Sequence, residues 1–330
     1  MITMLGRIVL VVLLACFAGR ASLVRIDVVE RTDVPGVPYE RVVGKAHFAV
    51  DPELPANRII ADLDLAPRNA RGLVEFSADL YMLKPRDSKS GNGTVLFEVS
   101  NRGNKGLLRM FNFGSAGPDP RTAADFGDRF LLEQGYTLVW LGWQPDVPRK
   151  PELLRLYAPA AKGVKGPVRA EFVPDEKTTR FSLADRTMEI VYPVADPAGA
   201  SLTVRDRPDG PRSTIPRDRW SFDGNTHVVM PSGFEPGRIY EVVYQSQDPV
   251  LVGLGPAAVR DFISDLKYGE SPTGRRAIGF GVSQSGRFLR TFLYYGFNQD
   301  EKGRRVFDGI LSHVAGGGRG SFNHRFAQPS

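Results

Sequence analysis

The stretch AIGFGVSQSGRFLRTFLYYG, residues 277–296, decides the fold. An apolar run from Ala277 to Val282 meets a cluster of small residues, and an amphipathic segment follows. That succession predicts a strand, a tight turn and a helix. Two chemistries use such a turn. A phosphate loop requires G-x-x-x-x-G-K-[ST], and Gly281 and Gly286 have its spacing, but Arg287 and Phe288 stand where the lysine and the hydroxyl belong. A guanidinium has a different donor geometry and a phenyl ring cannot ligate magnesium, so the pattern fails where it must be strict. A nucleophile elbow instead requires a serine on a strained turn, with small residues two before and two after it. For Ser283 these are Gly281 and Ser285, the latter a small departure from G-x-S-x-G. Ser285 fails the same test, because Arg287 is its second neighbour. The helix N-terminus favours an oxyanion, and the N–H of Gln284 is one candidate donor. A glycine–serine turn without chemistry is the alternative reading.

Working outward, TVLFEVS (residues 94–100) is a nearly continuous apolar run, as expected of a strand buried on both faces. NRGNKG, Asn101 to Gly106, follows it. In TAADFGDRFLLEQG, Ala123, Phe126 and Phe130 recur at helical spacing and Gly135 supplies a stop. YTLVWLGWQ, Tyr136 to Gln144, is a second buried strand. Strand, helix and strand make a crossover unit and predict a parallel sheet. An elbow takes its second oxyanion donor from the loop after an earlier strand. Asn101 to Gly106 is in that place, with the N–H groups of Arg102 and Gly103 as candidates and an ordinary glycine turn as the alternative.

Residues from about Leu23 to Pro67 read as valine-rich strands, and Arg71 to Pro85 as another alternating strand. From about Pro145 to Gln245 short strands and prolines replace the helical period; VRAEFVPD, SLTVRDRP, THVVMPSG and IYEVVYQSQ are the candidates. The α/β pattern returns at GPAAVRDFISDLKYG, with Val259, Phe262, Ile263 and Leu266 on one face, and FDGILSHVAGGG carries a further strand from Gly309 to Val314.

At 330 residues, 42% hydrophobic and 24% charged, the composition is that of a globular chain. The net charge of +6 is spread among interleaved acids and bases, which excludes a nucleic-acid groove as an expected partner surface. The N-terminus carries Arg7, an apolar run from Ile8 to Ala18 and then small residues, the order of a secretory signal cleaved after Ala21. The run is too short to span a membrane, so no transmembrane segment is expected in the mature chain. Export to the periplasm or the exterior is the expectation. Lipid anchoring through Cys16, within Leu13-Leu14-Ala15-Cys16, is the alternative. Cys16 is the only cysteine, and the four histidines are scattered, so neither a disulfide nor a metal site is expected.

The order of strand, NRGNKG, helix, YTLVWLGWQ, β-rich insertion and GFGVSQSGRFLRTFLYYGFNQD resembles the α/β-hydrolase superfamily, and within it exported bacterial proteins with an α/β-hydrolase domain. The local GVSQSGR is similar to the elbow of glucuronoyl esterases. The resemblance runs from about Arg71 to the C-terminus. It implies a mostly parallel sheet with flanking helices, plus a β-rich N-terminal region and a β-rich insertion. It also implies a serine hydrolase of esterase type, working through an acyl-enzyme on Ser283 without cofactor, on a small-molecule or carbohydrate-linked ester. The expected division is a leader at 1–21, a β-rich segment at 22–70, a first part of the hydrolase domain at 71–144, an insertion or cap at 145–245 and a second part at 246–330.

Serine needs a histidine and an acid, and in this fold they follow it in the order acid, histidine. After Ser283 stand Asp300, Glu301 and Asp308, then His313 and His324. Asp300 and Glu301 lie in a polar loop beyond the helix, and Asp308 leads into a strand, away from its carboxyl end where sites of parallel sheets form. His313 reads as a histidine at a strand end. His324 is the candidate base, in a loop after the glycine run. His47 and His227 precede the serine. The expectation is therefore a C-terminally truncated domain whose acid and base lie on absent chain. The competing function is an exported, non-catalytic carbohydrate-binding protein on the same scaffold, with Trp140, Trp143 and Trp220 as a platform, core or cap packing being the favoured reading of each. Arg287 could meet an acidic substrate group in either case.

Overall fold

The computed structural model describes residues 22–115, 117–185, 188–189 and 192–329. Residues 1–21, expected as a leader, and Cys16 among them fall outside the described residues.

The largest sheet is built from β1 (Leu23–Asp33), β2 (Tyr39–Val50), β3 (Val74–Pro85), β4 (Thr94–Val99) and β5 (Thr137–Leu141), joined by the short β6 (Leu156–Tyr157). Its other members are β14 (Arg276–Val282) and β15 (Gly309–His313). Strand order is β1-β2-β3-β5-β4-β14-β15, with β6 beside β3. The pairs β4–β5, β4–β14 and β14–β15 are parallel. The pairs β1–β2, β2–β3, β3–β5 and β3–β6 are antiparallel. The sheet is thus mixed, not mostly parallel as the resemblance implied. The reason lies in the N-terminal strands: the short connection from β1 to β2 can only join antiparallel neighbours, and β3 continues that pairing on to β5. They extend the sheet instead of forming a layer of their own.

Helices cover both faces of the parallel part. On one face α4 (Leu254–Tyr268) and α5 (Gln284–Tyr295) pack on Ala277, Phe97 and Val99. On the other lie α1 (Leu107–Asn112), α2 (Ala123–Phe126) and α3 (Phe130–Glu133), over Leu96, Trp140 and Phe280. The helix expected from residue 122 to 135 is therefore two short pieces. Gly127 has φ +57° and Arg129 φ +62°, and a Cβ on Gly127 would lie 1.9 Å from the carbonyl oxygen of Asn112. The chain breaks there to pack against α1, whose end receives the Asp128 N–H on Asn112 O at 2.8 Å.

Between β5 and α4 the chain builds two small sheets. One has the order β10-β9-β13-β7, from β7 (Lys165–Phe172), β9 (Asp196–Arg205), β10 (Ser213–Ile215) and β13 (Ile239–Gln247). The other has the order β11-β12-β8, from β8 (Thr178–Ser182), β11 (Ser221–Asp223) and β12 (His227–Phe234). They enclose an aromatic core of Phe172, Trp220, Phe234, Tyr240 and Tyr244.

The strand order has a switch. From β4 the chain crosses to β5 on one side, whereas β14 and β15 lie on the other. Loops leaving adjacent parallel strands in opposite directions open a crevice at their carboxyl ends, where ligands bind in such sheets. Residues after β4 and β14 meet there. The crevice is braced from below by Phe288 on α5, whose ring lies 4.5 Å from Trp143 and 5.8 Å from Phe322. Phe288→Ala should lower stability by about 3–5 kcal/mol in a urea titration, the range for emptying a buried aromatic site.

Candidate active site

Ser283 joins β14 to α5 with φ 56° and ψ −113°, a conformation that side chains rarely adopt. Neighbours hold it there. Its N–H donates to His313 O at 2.9 Å, and its carbonyl accepts the Arg287 N–H at 2.9 Å as the first bond of the helix. The turn is tight enough that a Cβ on Gly281 would lie 2.5 Å from the carbonyl carbon and oxygen of Ser285. A Cβ on Gly286 would lie 2.9 Å from Gly281 O and 3.0 Å from His313 O. Glycine at 281 and 286 is thus a steric requirement of the turn. Ser283 is exposed, whereas Ser285 is buried, so the turn presents one hydroxyl and hides the other.

Gln284 opens α5. Its backbone N–H is among the first of the helix, which have no acceptor inside it. Its side chain is buried and donates through Nε2 to Pro329 O.

The second wall is the loop after β4. Asn104 N–H donates to Asn101 O at 3.0 Å, closing a turn whose central residues have φ 50° at Arg102 and 78° at Gly103. Asn101 Nδ2 reaches Val282 O at 3.4 Å, so this turn rests on the residue before Ser283. Two strained non-glycine residues, Arg102 and Ser283, therefore stand side by side in the crevice, the kind of clustering that marks functional sites. The two candidate donors of the loop differ. The Arg102 N–H donates to Gln144 Oε1 at 3.0 Å, so it does not face an oxyanion. The Gly103 N–H has no acceptor among the described residues. The Arg102 guanidinium bonds Asn101 Oδ1 at 3.3 Å and pairs with Asp185 at 3.5 Å, which ties the loop to the β-rich insertion.

Beneath this loop lies a residue that sequence reasoning passed over. Glu98, on β4, is 5 % exposed. Its carboxylate accepts the N–H groups of Gly106 at 3.0 Å and Leu107 at 2.8 Å, together with Trp140 Nε1. Burial pushes its pKa up to about 7, against the pull of those donors and of the Lys105 ammonium. Burial likewise lowers Lys105 to about 8. The signal was legible: an acid inside an otherwise apolar run, TVLFEVS.

The remaining candidates lie elsewhere. His324 bonds Ser321 Oγ at 2.9 Å and faces a cavity of ≈ 480 Å³ lined by Lys165, Arg169 and Arg325. Among the described residues no hydrogen bond joins it, or His313, to the hydroxyl of Ser283. Each acid after the serine is committed. Asp300 binds Ser264 and Arg304, Glu301 binds Asn57, and Asp308 binds Lys267 and the Ala277 N–H. Arg287 bonds Ala315 O at 3.4 Å. Trp140, Trp143 and Trp220 are 0, 1 and 3 % exposed. They are core residues, as the packing reading of each had it, and do not form a carbohydrate platform. Among the described residues no group of His, Cys, Asp or Glu is placed to hold a metal ion, and no helix is long and apolar enough to cross a membrane.

Residues 234–330, which carry α4, β14, the elbow, α5 and β15, match the family model described as an alpha/beta hydrolase domain. Searches of curated proteins and of solved structures return no match.

Two outcomes follow from this geometry. Gly281→Ala forces the elbow and α5 apart and should cost about 1–3 kcal/mol, the range for overpacking, in chemical denaturation. For Glu98, the folded pKa of about 7 lies above its ordinary value of 4.5. The folded state then binds more protons between these pH values, so its stability falls as pH rises from 4.5 to 7. Urea titrations across that window should show a fall in the wild type that is reduced in Glu98→Gln. The family match to residues 234–330 supports a hydrolase of the α/β-hydrolase superfamily.

Proposed function

We propose that this protein is a serine hydrolase acting on carboxylic esters through an acyl-enzyme on Ser283. The observation that carries this reading is the exposed Ser283 on a strained strand-to-helix turn, at the switch point of the sheet. In the proposed reaction Ser283 Oγ attacks the ester carbonyl carbon and gives up its proton to a base. The carbonyl electron pair moves onto oxygen, where the N–H of Gln284, at the positive end of α5, and the N–H of Gly103 stabilise it. Collapse breaks the bond to the alcohol, which leaves with the proton. Water then cleaves the acyl-enzyme by the reverse sequence of transfers. No cofactor enters these steps.

The acids at 300, 301 and 308 are committed elsewhere, so the reading gives none of them the role of activating acid. His324 is left as a residue of the neighbouring cavity. The substrate is taken to be a small molecule. A second cavity, of ≈ 220 Å³, is lined by Asp146, Asp185, Tyr192 and Gln328 among the described residues. It adjoins the site through the Arg102–Asp185 pair, and its polar walls support a carbohydrate-linked ester as the finer reading. Export to the periplasm or beyond belongs to the same proposal and rests on residues 1–21 alone.

A fluorophosphonate probe tests the chemistry. It should modify the full-length protein at Ser283, and Ser283→Ala should abolish the modification together with hydrolysis of short-chain esters. Modification that survives Ser283→Ala, with ester turnover intact, would remove Ser283 from the role.

A further inference from the structure

We propose that Glu98 is a positioning residue of the site, whose buried carboxylate sets the turn Asn101–Asn104 against the elbow of Ser283. The inference rests on the serine-hydrolase reading and adds a residue that reading does not use. Glu98 stands opposite Phe280 of β14 and opposite Trp140 of β5 in the parallel registers. It therefore lies in the central strand, directly beneath the crevice. The loop it controls has two anchored ends. At the far end, Gly106 and Leu107 donate to the carboxylate. At the near end, Asn101 reaches Val282 O, next to the nucleophile. Between them Lys105 is buried, with Nζ donating to Pro118 O and to Glu152 O at 3.0 Å. The left-handed pair Arg102–Gly103 sits inside this clamp.

The choice of a carboxylate is the informative part. A buried charge is a poor source of stability, since apolar residues of similar volume generally do as well or better. Its value is directional. One carboxylate can accept several N–H donors at once, and here three converge on it from two elements: Gly106, Leu107 and Trp140. All three donors reach Oε2, and the Gly106 N–H also reaches Oε1. A glutamine keeps one oxygen for them but loses the charge and turns an NH₂ group toward the Gly106 N–H, so the isosteric change keeps the volume and weakens the clamp at the loop end. The loop end would relax, and with it the Gly103 N–H that the reaction needs in a fixed place.

The decisive comparison is Glu98→Gln against wild type, with Glu301→Gln as a half-buried acid outside the site. Hydrogen exchange is read at the Asn104 amide, whose bond to Asn101 O closes the turn. The labelling rate of Ser283 by a fluorophosphonate is read per folded molecule. Glu98→Gln should speed Asn104 exchange about tenfold more than Glu301→Gln does. It should also slow labelling about 10²-fold, the scale of losing one oxyanion donor, whereas Glu301→Gln should label as wild type does. Asn104 exchange or labelling in Glu98→Gln that matches Glu301→Gln would overturn the proposal. If wild type itself is not labelled, the hydrolase reading fails. The exchange data then still decide whether Glu98 holds the turn.

Discussion

The approach of Gly281 to the Ser285 carbonyl is the contact on which the rest depends. A strand that feeds a helix within one residue must let the two backbones touch, and only a residue without a Cβ allows it here. That contact forces the left-handed conformation at Ser283 and lifts its hydroxyl out of the sheet. It also aims the first N–H groups of α5 at the same space. The strain of this conformation, of order 1–3 kcal/mol, is held by bonds on both sides of the turn: the Ser283 N–H donates to His313 O, and Ser283 O accepts the Arg287 N–H.

The proposed oxyanion would meet N–H groups around this point. The helix end and the loop after β4 contribute N–H groups, while the acids of the region turn away from it. Glu98 faces the underside of the loop, Asp185 faces the Arg102 guanidinium, and Asp308 is drawn to Lys267 at the opposite end of β15. The β-rich insertion is tied to the same framework. Tyr192 donates to Ala327 O, Tyr244 donates to Tyr192 O, and Gln328 Nε2 donates to Arg169 O. The segment after β15 thus runs between the two parts of the molecule and ends against Gln284.

The elbow was legible in the sequence because its determinants are local: small residues at fixed offsets from Ser283, between an apolar run and an amphipathic one. The central strands were legible for the same reason, since burial on both faces writes an unbroken apolar run. Sheet direction was not. It depends on the antiparallel pairing of β3 with β5, with β4 intervening in the chain, and the resemblance carried the parallel half over the whole. The helix after Thr122 was misread because spacing shows periodicity but not the tertiary contact between Gly127 and Asn112 that interrupts it. The two donors proposed in the loop could not be separated from sequence, as Gln144, some forty residues away, decides that Arg102 is engaged. Glu98 was within reach: a carboxylate in a doubly buried strand requires a reason, and the reason is the loop above it.

The most direct measurement is a crystal structure of the protein after reaction with a phosphonate that mimics the tetrahedral intermediate. The account predicts phosphorus bonded to Ser283 Oγ, with one phosphoryl oxygen about 2.7–3.1 Å from the backbone nitrogens of Gln284 and Gly103. A phosphoryl oxygen turned to solvent, or phosphorus bonded to another residue, would contradict it.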